Sequence, residues 1–466
     1  MGWDRRLAFL SDDRNVAYPP AAMRRPPAAP RLIAVLVLGS AVAIAAVVGS
    51  SPPAASSPGV LARASSRNLG TLTVPSRALA RVVGGIVPAT PDRDRRGPTG
   101  WIQSLDEVVA GHPVSVAVGV DGSWLYRHGA RTARPPASNE KLLLSMAILD
   151  RFAPWTRLRT QVYATGARSG PRLRGSLWIV GHGDPEVDRW TMRALARTVR
   201  AEGIRKIRGR VMGATTGFLR DWWATGWRDY FPRDYIPLPT ALTYDNNEDG
   251  YGRHIVDPER RAAHSLKERL KANGVRVTGQ PGAGSAPRSM RLLATVESDP
   301  FEAILKRMNR NSRNFHAEVL GKWLGGRVIG GAGSIGKGAR VIERFASHHG
   351  VQVVAYDSSG LSYANRVRPQ GLVELLWYVN GQPWAEELRF SLPSGGQGTL
   401  KGRLRDVRVR AKTGTLEEVS ALSGWVWLEQ TETWGQFSIL SQGMSKSEAA
   451  AIEDRVVRIV AHRAQP

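Results

Sequence analysis

Pro136-Ala137-Ser138-Asn139-Glu140-Lys141-Leu142 sets a hydroxyl and an amine three positions apart at the head of an apolar run that reaches Phe152. Pro135 and Pro136 stop the preceding extended segment, Ser138 stands at an N-cap position, and Lys141 to Phe152 read as a helix. Positions three apart on a helix share a face, so Ser138 and Lys141 meet over the first turn. A serine hydroxyl is a weak nucleophile that needs a base within hydrogen-bond reach. Lysine serves as that base when burial and neighbouring cations lower its pKa. The helix N-terminus adds positive potential where an anion would develop.

Two further motifs follow in order, Ser312-Arg313-Asn314 and Lys412-Thr413-Gly414-Thr415. Ser312 and Asn314 stand just before the helical run Phe315 to Leu324; a hydroxyl and an amide there suit a proton relay and a substrate hydrogen bond, although alone they read as an N-cap and its neighbour. Lys412, Thr413 and Thr415 fall at a strand end and offer a cation and hydroxyls to a substrate carboxylate, while Gly414 permits close backbone approach. The three motifs together suggest serine acyl transfer with lysine in place of histidine.

Other schemes match less well. Ser334-Ile335-Gly336-Lys337 repeats the Ser-x-x-Lys spacing, but its glycines disfavour a helix carrying both side chains on one face. Gly331 to Gly338 nearly completes a phosphate-binding loop, yet Gly338 stands where a Ser or Thr is required. Neither a Gly-x-Ser-x-Gly elbow nor a His-Glu-x-x-His helix occurs. His316-Ala317-Glu318 has part of a zinc-deaminase spacing without the cysteines that chemistry needs, so His316 reads as an ordinary helix residue. Asp184, in Gly181-His182-Gly183-Asp184-Pro185, reads as a turn carboxylate. No metal site and no cofactor are expected.

The chain has 466 residues, no cysteine and a formal charge of +25. Disulfides, cysteine nucleophiles and thiolate metal sites are excluded. The basic residues are dispersed, without the clustered Lys/Arg and interleaved aromatics of a nucleic-acid groove, and no nucleic-acid partner is expected. Residues 1–31 read as a cytoplasmic leader, 32–49 as an uncharged membrane anchor or signal segment behind Arg24, Arg25 and Arg31, and 50–98 as a disordered Pro/Ser/Ala/Arg-rich linker. Everything after residue 50 is then exported. Ordered sequence begins near Trp101 with a helix and a hairpin turning at Asp121-Gly122. Residues 99–156 read as the first part of a catalytic domain, 157–296 as an inserted mainly β domain, and 297–466 as the second part. The latter carries helices from Pro300 to Leu324 and Arg340 to His349, three strands, and a closing helix from Glu448 to His462.

Taken together, Pro136 to Leu142, Gly181 to Pro185, Ser312 to Asn314, Asp357 to Ser362, Leu392 to Leu400 and Ala411 to Leu416 resemble the low-molecular-mass penicillin-binding proteins of the D-alanyl-D-alanine carboxypeptidase/endopeptidase type, peptidase family S13. The resemblance implies a mixed α/β fold, a β-lactamase/transpeptidase-like domain whose antiparallel sheet is flanked by helices and interrupted by the insertion. It further implies that Ser138 is acylated, that Lys141 accepts its proton, and that Ser312 relays a proton to the leaving group. Asn314 would hold the substrate amide, Lys412 and Thr413 with Gly414 and Thr415 would receive the terminal carboxylate, and the N–H groups of Ser138 and Thr415 would form the oxyanion hole. The implied substrate is a peptidoglycan stem peptide, with β-lactams as covalent inhibitors and cleavage of cross-links as an additional activity. A serine β-lactamase and a catalytically silent wall-binding scaffold are the alternatives. Arg313 departs from the family's usual small or acidic residue at the centre of the second motif, and Thr215 to Phe218 depart from the pattern expected in the insertion.

Overall fold

The computed structural model describes residues 100–465. The leader, the anchor or signal segment at 32–49 and the linker at 50–98 lie outside the described residues. No described helix is long and apolar enough to cross a membrane.

A five-stranded antiparallel sheet organises the catalytic half, in the spatial order Val409–Leu416, Val419–Leu428, Thr433–Gln442, Val114–Val120, Ser123–His128. The N-terminal hairpin turns through Asp121 and Gly122, both with positive φ as a tight two-residue turn requires. It joins the C-terminal meander where Val116 pairs with Ile439. Strand Val419–Leu428 is buried along nearly its whole length, so both sheet faces are covered. Helices Gly100–Val109 and Lys446–Arg463 supply the core on one face, with Leu105, Val456 and Val460 packed against Val426 and Ile439. On the other face Leu142, Met146 and Ile148 meet Leu320, Leu376 and Trp425.

All ten residues of helix Glu140–Leu149 are buried. Its four leucines, Met146 and Ile148 each contribute about 1.5–3 kcal/mol of burial. That free energy offsets the cost of enclosing Glu140 and Lys141 in the same helix.

The insertion has a sheet of its own, in the order Gly282–Gly284, Val211–Ala214, Leu177–Gly181, Arg157–Ala164, Arg291–Pro300, with a separate core around Ile179, Leu195 and Leu266. The expected strands are accompanied by two helices, Arg189–Ala201 and Pro258–Ala272, whose Met192, Leu195, Ala196 and Val199, and Ala262, Leu266 and Leu270, face that sheet. Parallel pairs join Leu177–Gly181 to Val211–Ala214 and Val211–Ala214 to Gly282–Gly284. Each needs a crossover connection, and the two helices supply it.

Three local expectations are corrected. Ser138 is no N-cap: it lies within a short 3-10 turn, Ala137–Asn139, entered through a positive φ at Ala137, and its hydroxyl makes no cap bond. The helical stretch from Pro300 is broken into Phe301–Asn311 and Asn314–Ile329, because Ser312 adopts a left-handed conformation (φ 53°, ψ 41°) and ends the first helix rather than opening the second. The glycines near Ser334 do not prevent a helix, which starts at Ile335, five residues before the expected Arg340.

Candidate active site

Three elements converge on the head of helix Glu140–Leu149. Lys141 Nζ lies 3.0 Å from Ser138 Oγ, 2.8 Å from Asn314 Oδ1 and 2.5 Å from the Ser359 carbonyl oxygen. A neutral amine has two hydrogens and one lone pair. With the hydrogens donated to the two carbonyl oxygens, the lone pair faces the Ser138 hydroxyl.

Lys141 is fully buried, and desolvation brings its pKa down to about 8 against the opposing pull of Asp357, Glu318 and Glu140. That pull is weakened by the carboxyls themselves. Burial, then the charges of Asp357, Glu318 and Glu343, holds Glu140 well above the usual carboxylate range, and burial with the Asp357 charge raises Glu318 to about 8. Desolvation therefore governs the amine.

The second group gathers around Lys412 in strand Val409–Leu416. Its Nζ is 2.9 Å from Ser312 Oγ and donates to the Thr413 carbonyl at 2.8 Å. Burial, then the charges of Lys141 and Lys446, depresses its pKa strongly. Thr413 Oγ1 is 2.7 Å from Thr399 Oγ1. Gly414 passes so close to the turn carrying Ser138 that an added Cβ would lie 2.8 Å from the Pro136 carbonyl oxygen and 3.1 Å from Ala137 Cβ. Thr415 is exposed at the end of the strand.

Direct hydrogen bonds thus join Ser138, Lys141 and Asn314, and separately Ser312, Lys412 and Thr413. Asn314 Nδ2 donates to the Tyr235 carbonyl at 3.2 Å, which fixes the amide with its oxygen towards Lys141. Arg313 is exposed. The decoy lysine, Lys337, instead donates to the carbonyls of Gly330 and Ala332, and Ser334 Oγ caps its helix by accepting from Lys337 N.

Several supporting residues carried little sequence signal. Glu318 accepts from Ser358 N and Ser359 N at 2.8 and 2.7 Å, and Asp357 accepts from Gly360 N, Ser362 N and Trp227 Nε1. Together they shape the turn whose Ser359 carbonyl meets Lys141. Asp357 lay within a quoted motif; Glu318, in a helix, gave no hint that it would be buried. His316 is more than an ordinary helix residue: it is buried, with Nε2 3.1 Å from Glu186 Oε1. Asp184 is the expected turn carboxylate, accepting from Glu186 N, and burial raises its pKa to about 7. Among the described residues no cluster of three or more His, Asp or Glu is arranged to hold a metal ion.

Residues 103–249 and 236–463 match the D-Ala-D-Ala carboxypeptidase 3 (S13) family. The chain is 29% identical over 448 residues to a D-alanyl-D-alanine carboxypeptidase of Actinomadura sp. (strain R39), covering 76% of this chain and 81% of that one. It is also 29% identical over 443 residues to a carboxypeptidase, DacB, of Mycolicibacterium smegmatis, covering 88% of each. The crystal structure of penicillin binding protein 4 from Haemophilus influenzae is similar in fold, with a TM-score of 0.67 at 19% identity over 76% of this chain and 97% of that one. The match extends across both parts of the catalytic domain and the insertion between them; the chain belongs to the D-Ala-D-Ala carboxypeptidase 3 (S13) family and is a serine-type D-Ala-D-Ala carboxypeptidase.

Proposed function

We propose that Ser138 is the nucleophile and Lys141 its base in removing the terminal D-alanine from peptidoglycan stem peptides. Lys141 Nζ takes the Ser138 hydroxyl proton as Oγ attacks the carbonyl of the penultimate D-alanine. The N–H groups of Ser138 and Thr415 stabilise the oxyanion of the tetrahedral intermediate. The proton taken by Lys141 is relayed by the Ser312 hydroxyl, beside Lys412, to the leaving amine, and the terminal D-alanine departs from Lys412 and Thr413, which held its carboxylate. Asn314 aligns the amide of the acyl portion. Water then attacks the ester and restores Ser138. Cross-link cleavage uses the same steps with a larger leaving group, and β-lactams acylate the same oxygen. An extracytoplasmic position, with residues 32–49 as anchor or signal, fits this substrate.

One observation carries the assignment: Lys141 spends two hydrogens on fixed carbonyls while lying 3.0 Å from Ser138 Oγ. Mass spectrometry after incubation with benzylpenicillin provides the test. The intact drug mass should add to the wild type and be absent from Ser138→Ala; an adduct that survives the substitution overturns the assignment. Rapid turnover of nitrocefin would instead favour the β-lactamase alternative.

A further inference from the structure

Several arginines of this protein are held by carboxylates. Arg307 meets Glu186 and Asp299, Arg403 meets Glu453 and Asp454, and Arg220 meets Glu259. Arg310, Arg408 and Arg410 break that pattern. They gather where the last turn of helix Phe301–Asn311 approaches the start of strand Val409–Leu416. Among the described residues none of the three has a carboxylate within ion-pair distance. Arg310 makes one hydrogen bond, to the Phe390 carbonyl at 3.2 Å, and its buried Nε has no partner. Burial, then the charges of Arg310 and Arg408, pulls the Arg410 pKa down. Arg310 and Arg408 thus act on Arg410 with no carboxylate in ion-pair range to offset their charge.

Arg408 and Arg410 also line a cavity of about 180 Å³, together with Phe390, Ser394 and Trp434. Arg410 stacks over Phe390 at 4.9 Å, and Arg408 over Trp427 and Trp434 at 4.1 and 5.0 Å. Stacking occupies the flat faces of the guanidinium groups and leaves their N–H edges for a planar or tetrahedral oxyanion. Phe390 is 44% exposed, so an apolar ring surface stands beside these donors.

We propose that this cavity is an anion-binding exosite for a phosphate- or carboxylate-bearing sugar, with the oxyanion on the Arg408 and Arg410 edges and the sugar face against the exposed ring of Phe390. The site is separate from the nucleophile. Arg410 and Lys412 lie two apart on one strand face, but Lys412 is committed to Ser312 and Thr413. The two sites share a segment: Ser394 bridges to Arg410, and five residues on Thr399 meets Thr413. An anionic glycan held here would tether the enzyme to its polymer while the catalytic cleft remains free.

Ligand-observed NMR titration of the full chain with glucose 1-phosphate, glucuronate and glucose tests the proposal. The two anionic sugars should bind and glucose should not, and the tighter of the two identifies the source of the oxyanion. Arg408→Gln/Arg410→Gln should weaken that binding at least tenfold. Arg408→Lys/Arg410→Lys, which keeps the charge but loses the fork, should fall between, and the exposed Arg288→Gln should match wild type. Thermal melts check that each variant is folded; if the Gln pair does not fold, the Lys pair decides alone, with unchanged binding counting against the site. Absence of binding to wild type, unchanged affinity in the folded Arg408/Arg410 variants, or an equal loss in Arg288→Gln would overturn the proposal.

Discussion

The burial of a single amine predicts a pH dependence for the proposed reaction. Lys141 ordinarily titrates well above neutrality, and desolvation brings it to about 8, so its neutral fraction grows as pH rises through that value. If it accepts the Ser138 proton, acylation by a fluorescent penicillin should rise about tenfold per pH unit below 8 and flatten above it. Stopped-flow measurement between pH 6 and 9 checks this, and a flat profile below pH 8 would remove Lys141 as base. Lys141→Arg should abolish acylation throughout the range, because a guanidinium remains charged. Sequence spacing made the Ser138–Lys141 pair legible because three helical positions make a face. It could not convey how far the amine's pKa falls, which is set by burial in the tertiary fold against the opposing charges of Asp357 and Glu318, more than 170 positions away. Nor did it reveal the left-handed Ser312 that swings a hydroxyl onto Lys412, since serine has no strong preference for that conformation.

At the scale of elements, the turn carrying Ser138 is held between two backbones that approach too closely for side chains. Gly414 brings the strand against Pro136 and Ala137, and Gly360 brings the Ser359 turn against the other side. A Cβ at Gly360 would fall 1.8 Å from the Ala137 carbonyl oxygen, at a φ of +80°. Gly360→Ala therefore combines backbone strain of about 1–3 kcal/mol with a steric overlap that must displace Ser138. Its acylation rate should fall at least tenfold and its melting temperature should drop. Gly381→Ala, where the nearest atom to the new Cβ is 3.6 Å away, should match wild type in both measurements. The catalytic elements were legible because their strands alternate and their helices are long and apolar. The insertion was less so: Met192, Leu195, Ala196 and Val199 have helical spacing, but the arginines and threonines between them obscure the apolar stripe, and short turn-flanked runs dominate the surrounding sequence.

Over the whole molecule, helix Asn314–Ile329 is the shared axle of catalytic half and insertion. Asn314 reaches Lys141, Glu318 holds the Ser359 turn, and His316 meets Glu186, which also binds Arg307. One turn beyond Glu318, the fully buried Lys322 donates to the carbonyls of Leu219, Asp221 and Pro239 at 3.1, 2.7 and 3.0 Å, and its Nζ is 2.8 Å from Asp221 Oδ1. The inserted segment is thus fastened to the helix that positions the site. Lys322→Met keeps most of the side-chain volume but leaves three carbonyls and a carboxylate without their cation, a loss of about 3–5 kcal/mol by analogy with broken buried pairs. The melting temperature should fall by several degrees. If the axle couples the two parts, penicillin acylation should also slow in the protein that remains folded, as Asn314 loses its fixed position against Lys141. A lower melting temperature with an unchanged acylation rate would confine Lys322 to stability and show that the catalytic half holds Asn314 without help from the insertion.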